Sequence, residues 1–260
     1  MAENLSLTLV QPDMIWEDKA ANLRQYESLL SAKDAQRQVV LLPEMFTTGF
    51  SMNPAPLAES MDGPSVQWMR HMARQHRIIL CGSLIISEGG HYYNRLIWMQ
   101  PDGVHYHYDK RHLFTYAGEQ KQYTPGNKKL IVQVNGWRIC PLICYDLRFP
   151  VFSRNDAAQP YDLLLYVANW PQKRSLAWQT LLRARAIENQ CYVAGVNRVG
   201  QDGNGHDYAG DSALLNPMGE TVWEESNHPA VKTLVINKAL LTEYRAHFPV
   251  LKDADPFALL

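Results

Sequence analysis

The chain has 260 residues, 46% of them hydrophobic, which is enough to bury a sizeable core, and 25 basic against 26 acidic residues give a formal net charge of -1. Balanced charge without a run of Lys or Arg excludes a nucleic-acid stripe or a membrane-surface patch as the organising feature, leaving a small-molecule enzyme or a structural domain. No linker, low-complexity tract or repeat divides the sequence, so 1–260 reads as one domain.

In chain order, residues 5–10 form a short apolar run that stops at Gln11 and Pro12, too brief for a signal or membrane span, so the cytoplasm is the expected compartment. Residues 19–33 place Leu23, Tyr26, Leu29 and Leu30 at helical spacing. Residues 38–42 are apolar in succession, the mark of a strand covered on both faces. A helix over 65–75 follows "MDGP", and 77–86 and 93–100 read as strands before a "PDG" turn. The alternating "HYHYD" comes next, then strands at 137–144 and 162–168, a helix over 175–190, and strands at 191–197, 212–217 and 232–237, with "NPMG" as a turn. Covered strands need helices on the sheets, so the class is α/β, and the tight turns make the sheets mixed.

The four cysteines read as reduced thiols rather than a disulfide framework. Cys81, Cys140 and Cys191 lie inside apolar runs as core filling. Cys144 differs, because it closes a strand and is followed by "YDLRFP", a turn whose N–H groups point at whatever approaches the sulfur. Glu44, in "VVLLPEMF", comes directly after a buried strand and a proline, where a carboxylate must find partners or face a cleft. Lys110 follows the alternating strand. Taken singly, a surface glutamate and a solvated lysine are the ordinary readings. Together the three stand past the C-terminal sides of separate strands, the edge where open sheets collect their sites. A thiol, a base for its proton and a fixed cation for an oxyanion form an acyl-transfer set. Asp109 and His112 read as loop-positioning residues.

The ordered segments "LLPEMF", "YDKRHLF" and "LICYDLRFP" resemble the Glu-Lys-Cys set of the nitrilase, or carbon-nitrogen hydrolase, superfamily, over nearly the whole chain. The segments "YVANWP" (166–171) and "RARAIENQCYVAGVNRVG" (183–200) look most like bacterial omega-amidases, which hydrolyse the terminal amide of 2-oxoglutaramate or 2-oxosuccinamate. The resemblance implies Glu44 as general base, Lys110 as oxyanion cation, Cys144 as nucleophile and the backbone N–H of Tyr145 as a second oxyanion donor. It also implies a second glutamate, matched by Glu119 in "GEQKQYTPG". Implied too are a four-layer α-β-β-α sandwich with two central mixed β-sheets, no metal or cofactor, and a homodimer. Another amidase of the superfamily, for deaminated glutathione or N-carbamoyl amino acids, is the alternative.

For a substrate carboxylate, Arg148 is the candidate cation, sharing a face with Cys144 if a helical turn follows; a salt bridge to Asp146 is the competing role. Asn169 and Trp170 are expected to line the acyl pocket, although packing against Pro171 would also account for Trp170. A papain-like pairing would use His206, which reads instead as a turn residue in "DGNGHDYAG". Cys140 and Cys144 lack the other ligands of a zinc site. The tail over about 244–260 carries Phe248, Val250, Leu251, Phe257, Leu259 and Leu260, leaving a partner subunit or its own domain to cover them.

Overall fold

Apolar runs become strands and helically spaced runs become helices in the computed structural model, which describes residues 4–31, 36–156 and 160–255. The first half contains β1 (Asn4–Gln11), α1 (Lys19–Ser31), β2 (Val39–Leu41), α2 (Pro54–Leu57), α3 (Pro64–His76), β3 (Ile79–Glu88), β4 (His91–Met99) and β5 (His105–Asp109). The second contains β6 (Val132–Val134), β7 (Trp137–Ile143), α4 (Pro150–Ser153), β8 (Leu163–Val167), α5 (Ser175–Asn189), β9 (Tyr192–Val196), β10 (Val199–Gln201), β11 (Asp207–Leu215), β12 (Thr221–Ser226), β13 (Ala230–Asn237) and α6 (Lys238–His247). The helices predicted at 19–33, 65–75 and 175–190 are α1, α3 and α5, with positions 32 and 33 outside the described residues.

The strands form two mixed sheets, one ordered β13-β1-β2-β3-β4-β5 and the other β10-β11-β9-β8-β7-β6, with β12 paired to β11. The parallel pairs are β1·β2, β2·β3, β7·β8 and β8·β9, while the "PDG" and "NPMG" turns join antiparallel neighbours. Side chains alternate across each strand. Val39 and Leu41 therefore join Ile139 and Ile143 in the core between the sheets, while Val40 packs with Tyr26, Leu30 and Met69 under α1 and α3. On the other sheet α5 supplies Trp178 and Leu182, each fully buried and each contributing on the order of 2 kcal/mol of apolar burial. Gly195 permits that approach, since a Cβ there would lie 2.6 Å from Leu182 Cδ1 and 2.7 Å from Trp178 Cζ2. The layers run α-β-β-α.

Helix α6 escapes the apolar-periodicity reading because it buries only Leu241; its signal is the N-cap, where the Asn237 side chain accepts the Leu240 N–H. The tail is bonded to its own domain as far as Phe248, whose carbonyl accepts from Gln190 Nε2 at 2.7 Å, and Arg245 Nε donates to Gln190 O at 2.8 Å. Phe257, Leu259 and Leu260 lie outside the described residues.

Candidate active site

Four strand ends converge where the two sheets face each other. Past β2, the Leu42 and Phe46 N–H groups bond to Cys81 O (2.7 Å) and Ser83 O (3.0 Å) of β3, and this pinned turn turns Glu44 inward. Lys110 follows β5, its N–H held by Asn94 O at 3.0 Å and its carbonyl accepting from Gly126 N at 3.0 Å. Cys144 follows β7 in a left-handed conformation, φ 42°, and opens a 3₁₀ turn over Cys144–Arg148. Asn169 follows β8. The predicted thiol at a strand-to-helix turn is therefore a strained elbow that lifts the sulfur off the sheet edge.

Lys110 Nζ lies 2.8 Å from Glu44 Oε1 and 3.0 Å from both Glu119 oxygens, with all three side chains closed to solvent. Asn94 Nδ2 donates to Glu44 Oε1 (2.8 Å) and Glu119 Oε1 (3.3 Å), Asn169 N–H to Glu44 Oε2 (2.9 Å), and Phe114 N–H to Glu119 Oε2 (2.5 Å). Burying these charges is costly, and the dense set of partners offsets it. Burial pulls the Lys110 ammonium toward neutrality, but Glu119 and then Glu44 outweigh it and hold its pKa above the ordinary value. Burial raises Glu119, an effect opposed by Lys110 and reinforced by Glu44. Burial and then the Glu44 charge push the Cys144 thiol well above its usual range and Lys110 opposes them, while the sulfur donates to Asn169 O at 3.9 Å. Burial thus favours the neutral thiol over a preformed thiolate, a state from which attack requires a base to take the proton.

Cys144, 8% exposed, and Lys110 open onto a pocket of about 620 Å³. Tyr145, Arg148, Asn169 and Trp170 line it, so the pocket joins every predicted site residue except Glu44 and Glu119, which lie behind Lys110. Arg148 is exposed and stands 5.0 Å over the Trp170 ring. It makes no salt bridge to Asp146, whose oxygens are taken by Tyr108, His112 and Ile143. The turn beyond Cys144 is 3₁₀, not α-helical. Asn169 also braces the glutamate, its side chain donating to Glu44 O. His206 lines the pocket too, but the acidic charge that acts most on the thiol is that of Glu44. Cys81, Cys140 and Cys191 are buried core thiols, raised by burial.

Sequence reasoning missed Asn94, Asp146 and the pocket walls from Trp16, Arg174 and Tyr208. Asn94 had a signal, as a polar residue inside the apolar run "YNRLIW" that must be satisfied when buried. Trp16 and Tyr208 had none, since they reach the pocket from loops and strands distant in sequence.

The carbon-nitrogen hydrolase family pattern matches residues 6–246. The chain is 48% identical to Omega-amidase YafV of Escherichia coli over 98% of both chains, and 29% identical to 2-oxoglutaramate amidase of Bacillus subtilis over 95% of this chain and 96% of that one. Among solved structures it superposes, at a TM-score of 0.97 and 47% identity over 99% of both chains, on a CN-hydrolase superfamily protein from Xanthomonas campestris with an arsenic adduct in its active site. An amidase from Nesterenkonia, carrying the acetamide moiety of fluoroacetamide covalently added at its active-site cysteine, matches at a TM-score of 0.81 and 25% identity over 95% of each chain. With likeness running through nearly its whole length, the chain belongs to the carbon-nitrogen hydrolase family.

Proposed function

We propose that the protein is an omega-amidase that hydrolyses the terminal amide of a 2-oxo dicarboxylic monoamide, 2-oxoglutaramate or 2-oxosuccinamate, to the 2-oxo dicarboxylate and ammonia. The observation that carries the reading is that the Cys144 thiol and the Lys110 ammonium line one open pocket, with Glu44 Oε1 2.8 Å from that ammonium. The 48% identity to Omega-amidase YafV supports the substrate class.

Glu44 takes the thiol proton as the sulfur attacks the amide carbonyl, forming the C–S bond and a tetrahedral oxyanion. Lys110 and the Tyr145 N–H stabilise that oxyanion. Glu44 returns the proton to the leaving nitrogen as the C–N bond breaks, releasing ammonia and leaving a thioester on Cys144. Water then gives a proton to Glu44 and attacks the thioester; collapse frees the acid and restores the thiol. Glu119 holds Lys110 in place. Arg148 takes the substrate carboxylate, with Asn169 and Trp170 as walls of the acyl pocket. No step calls for a metal or cofactor.

A cytoplasmic homodimer belongs to the same reading. Four free thiols fit a reducing compartment. Leu176 on α5 (80% exposed), Leu240 on α6 (59%) and Phe248 in the tail (56%) offer apolar surface for a second copy. Ammonia release from 2-oxoglutaramate, glutamine, deaminated glutathione and an N-carbamoyl amino acid tests the function. The omega-amidase reading predicts a clear preference for 2-oxoglutaramate, and equal or better turnover of any of the others defeats it.

A further inference from the structure

The turn that carries Cys144 and the strand that presents Lys110 belong to different sheets, yet one buried carboxylate joins them. Asp146 stands two residues past Cys144 and is 0% exposed. Its Oδ2 accepts the N–H of Ile143, the residue before Cys144, at 3.0 Å and the Tyr108 phenol at 2.8 Å. Its Oδ1 accepts the His112 N–H at 3.1 Å and lies 2.7 Å from His112 Nδ1. The Ile143 N–H, the His112 N–H and the Tyr108 phenol all donate to it, and the His112 ring nitrogen pairs with the same oxygen as its own backbone N–H.

Tyr108 and His112 stand two residues either side of Lys110. Tyr108 also accepts the Arg111 N–H at 3.1 Å, which fixes the backbone just past the lysine. Burial and then the Asp146 charge keep the Tyr108 pKa well above its ordinary range, so the phenol remains a donor. The His112 ring lies flat on Phe149, 3.8 Å between centroids and 8° between planes, at the far end of the nucleophile's turn. None of Tyr108, His112 and Asp146 lines the pocket. A carboxylate buried between two sheets is an expensive way to fill space when apolar groups would do so at less cost. Its distinguishing property is that it ties four polar groups from the Lys110 segment and the Cys144 turn to one point.

We propose that Asp146 is a positioning residue that clamps the Lys110 segment to the Cys144 turn through Tyr108, His112 and Ile143, setting the ammonium-to-sulfur spacing across the two sheets. This rests on the reading of Cys144 as nucleophile and Lys110 as the oxyanion cation. Small displacements of reacting groups are felt steeply in rate, whereas substrate affinity depends on pocket side chains, to none of which the Asp146 carboxylate hydrogen-bonds.

The test uses Asp146→Asn, Tyr108→Phe and their double variant in the full chain, with thermal midpoints recorded to normalise for folded enzyme. Asp146→Asn is expected to lose about 100-fold in kcat on 2-oxoglutaramate with KM within about threefold, and Tyr108→Phe about tenfold in kcat. The double variant should lose no more than Asp146→Asn alone, because both changes cut one link. Iodoacetamide alkylation of Cys144 should move to higher pH in both single variants, since the ammonium no longer reaches the sulfur. Unchanged kcat and an unchanged alkylation profile in folded single variants, or fully additive losses, overturn the proposal. If Asp146→Asn does not fold, Tyr108→Phe and His112→Phe, each removing one side-chain partner of the carboxylate, decide it by the same readouts. Alkylation needs no amide, so a wild type inert toward 2-oxoglutaramate refutes the substrate reading while the alkylation comparison still decides the clamp.

Discussion

Lys110 Nζ lies 2.8 Å from Glu44 Oε1, and neither side chain touches solvent. The lysine therefore has two tasks at once: it faces the pocket beside the thiol, and it compensates two buried carboxylates.

Lys110→Ala should lose activity for both reasons. Without an oxyanion cation, turnover falls by about 100-fold or more. Leaving Glu44 and Glu119 uncompensated costs about 3 to 5 kcal/mol of stability until one of them takes up a proton. The sequence by itself suggests a dead but well-folded variant; the buried triad predicts a lowered urea midpoint as well. A variant as stable as wild type would contradict the structural half.

Arg148→Gln should raise KM for 2-oxoglutaramate by about tenfold, the lower end for a charge-assisted hydrogen bond because the arginine is exposed. The same change should leave turnover of a neutral amide nearly unaltered. Steady-state kinetics on the two substrates checks this, and equal loss on both removes Arg148 from the carboxylate site.

Gly126 lets the Glu119 loop run against the end of the lysine strand. A Cβ there would stand 2.1 Å from Asp109 O, next to the Gly126 N–H bond to Lys110 O. Gly126→Ala should cost about 1 to 3 kcal/mol by overpacking and reduce kcat with it. Chemical denaturation measures the first; no loss of stability would mean the loop lies elsewhere.

Burial raises the Cys140 pKa from its ordinary 9.0 to about 12. In the unfolded chain this thiol ionises first, so between those values the native state binds more protons and stability falls as pH rises. The contribution of Cys140 is fully present below pH 9 and wanes toward pH 12. Wild type should therefore lose about 1 kcal/mol between pH 8 and pH 10 relative to Cys140→Ala, read from urea midpoints. A gap that stays constant or widens in favour of wild type argues that the thiol is not buried.

Much of this was readable from the chain itself. Continuous apolar runs such as 162–168 identify covered strands, and Glu44 and Cys144 stand out because each ends such a run, whereas Lys110 follows the alternating β5. What periodicity does not carry is long-range pairing. Asp146 meets Tyr108 only because β5 and β7 belong to facing sheets, and a one-residue change of register would send that phenol to the other face. Arg148 illustrates the local limit: "YDLRFP" admits an α-turn or a 3₁₀ turn, and the competing hydrogen bonds of Asp146 decide which partner the arginine lacks.

The central claim is that Cys144 carries the acyl group. Acid quenching during steady turnover of 2-oxoglutaramate, followed by peptide mass analysis, reads it directly. The account predicts a 2-oxoglutaryl thioester on the peptide containing Cys144, absent in Cys144→Ala, which should release no ammonia. Ammonia release by Cys144→Ala at the wild-type rate, or an adduct on any other residue, would contradict it.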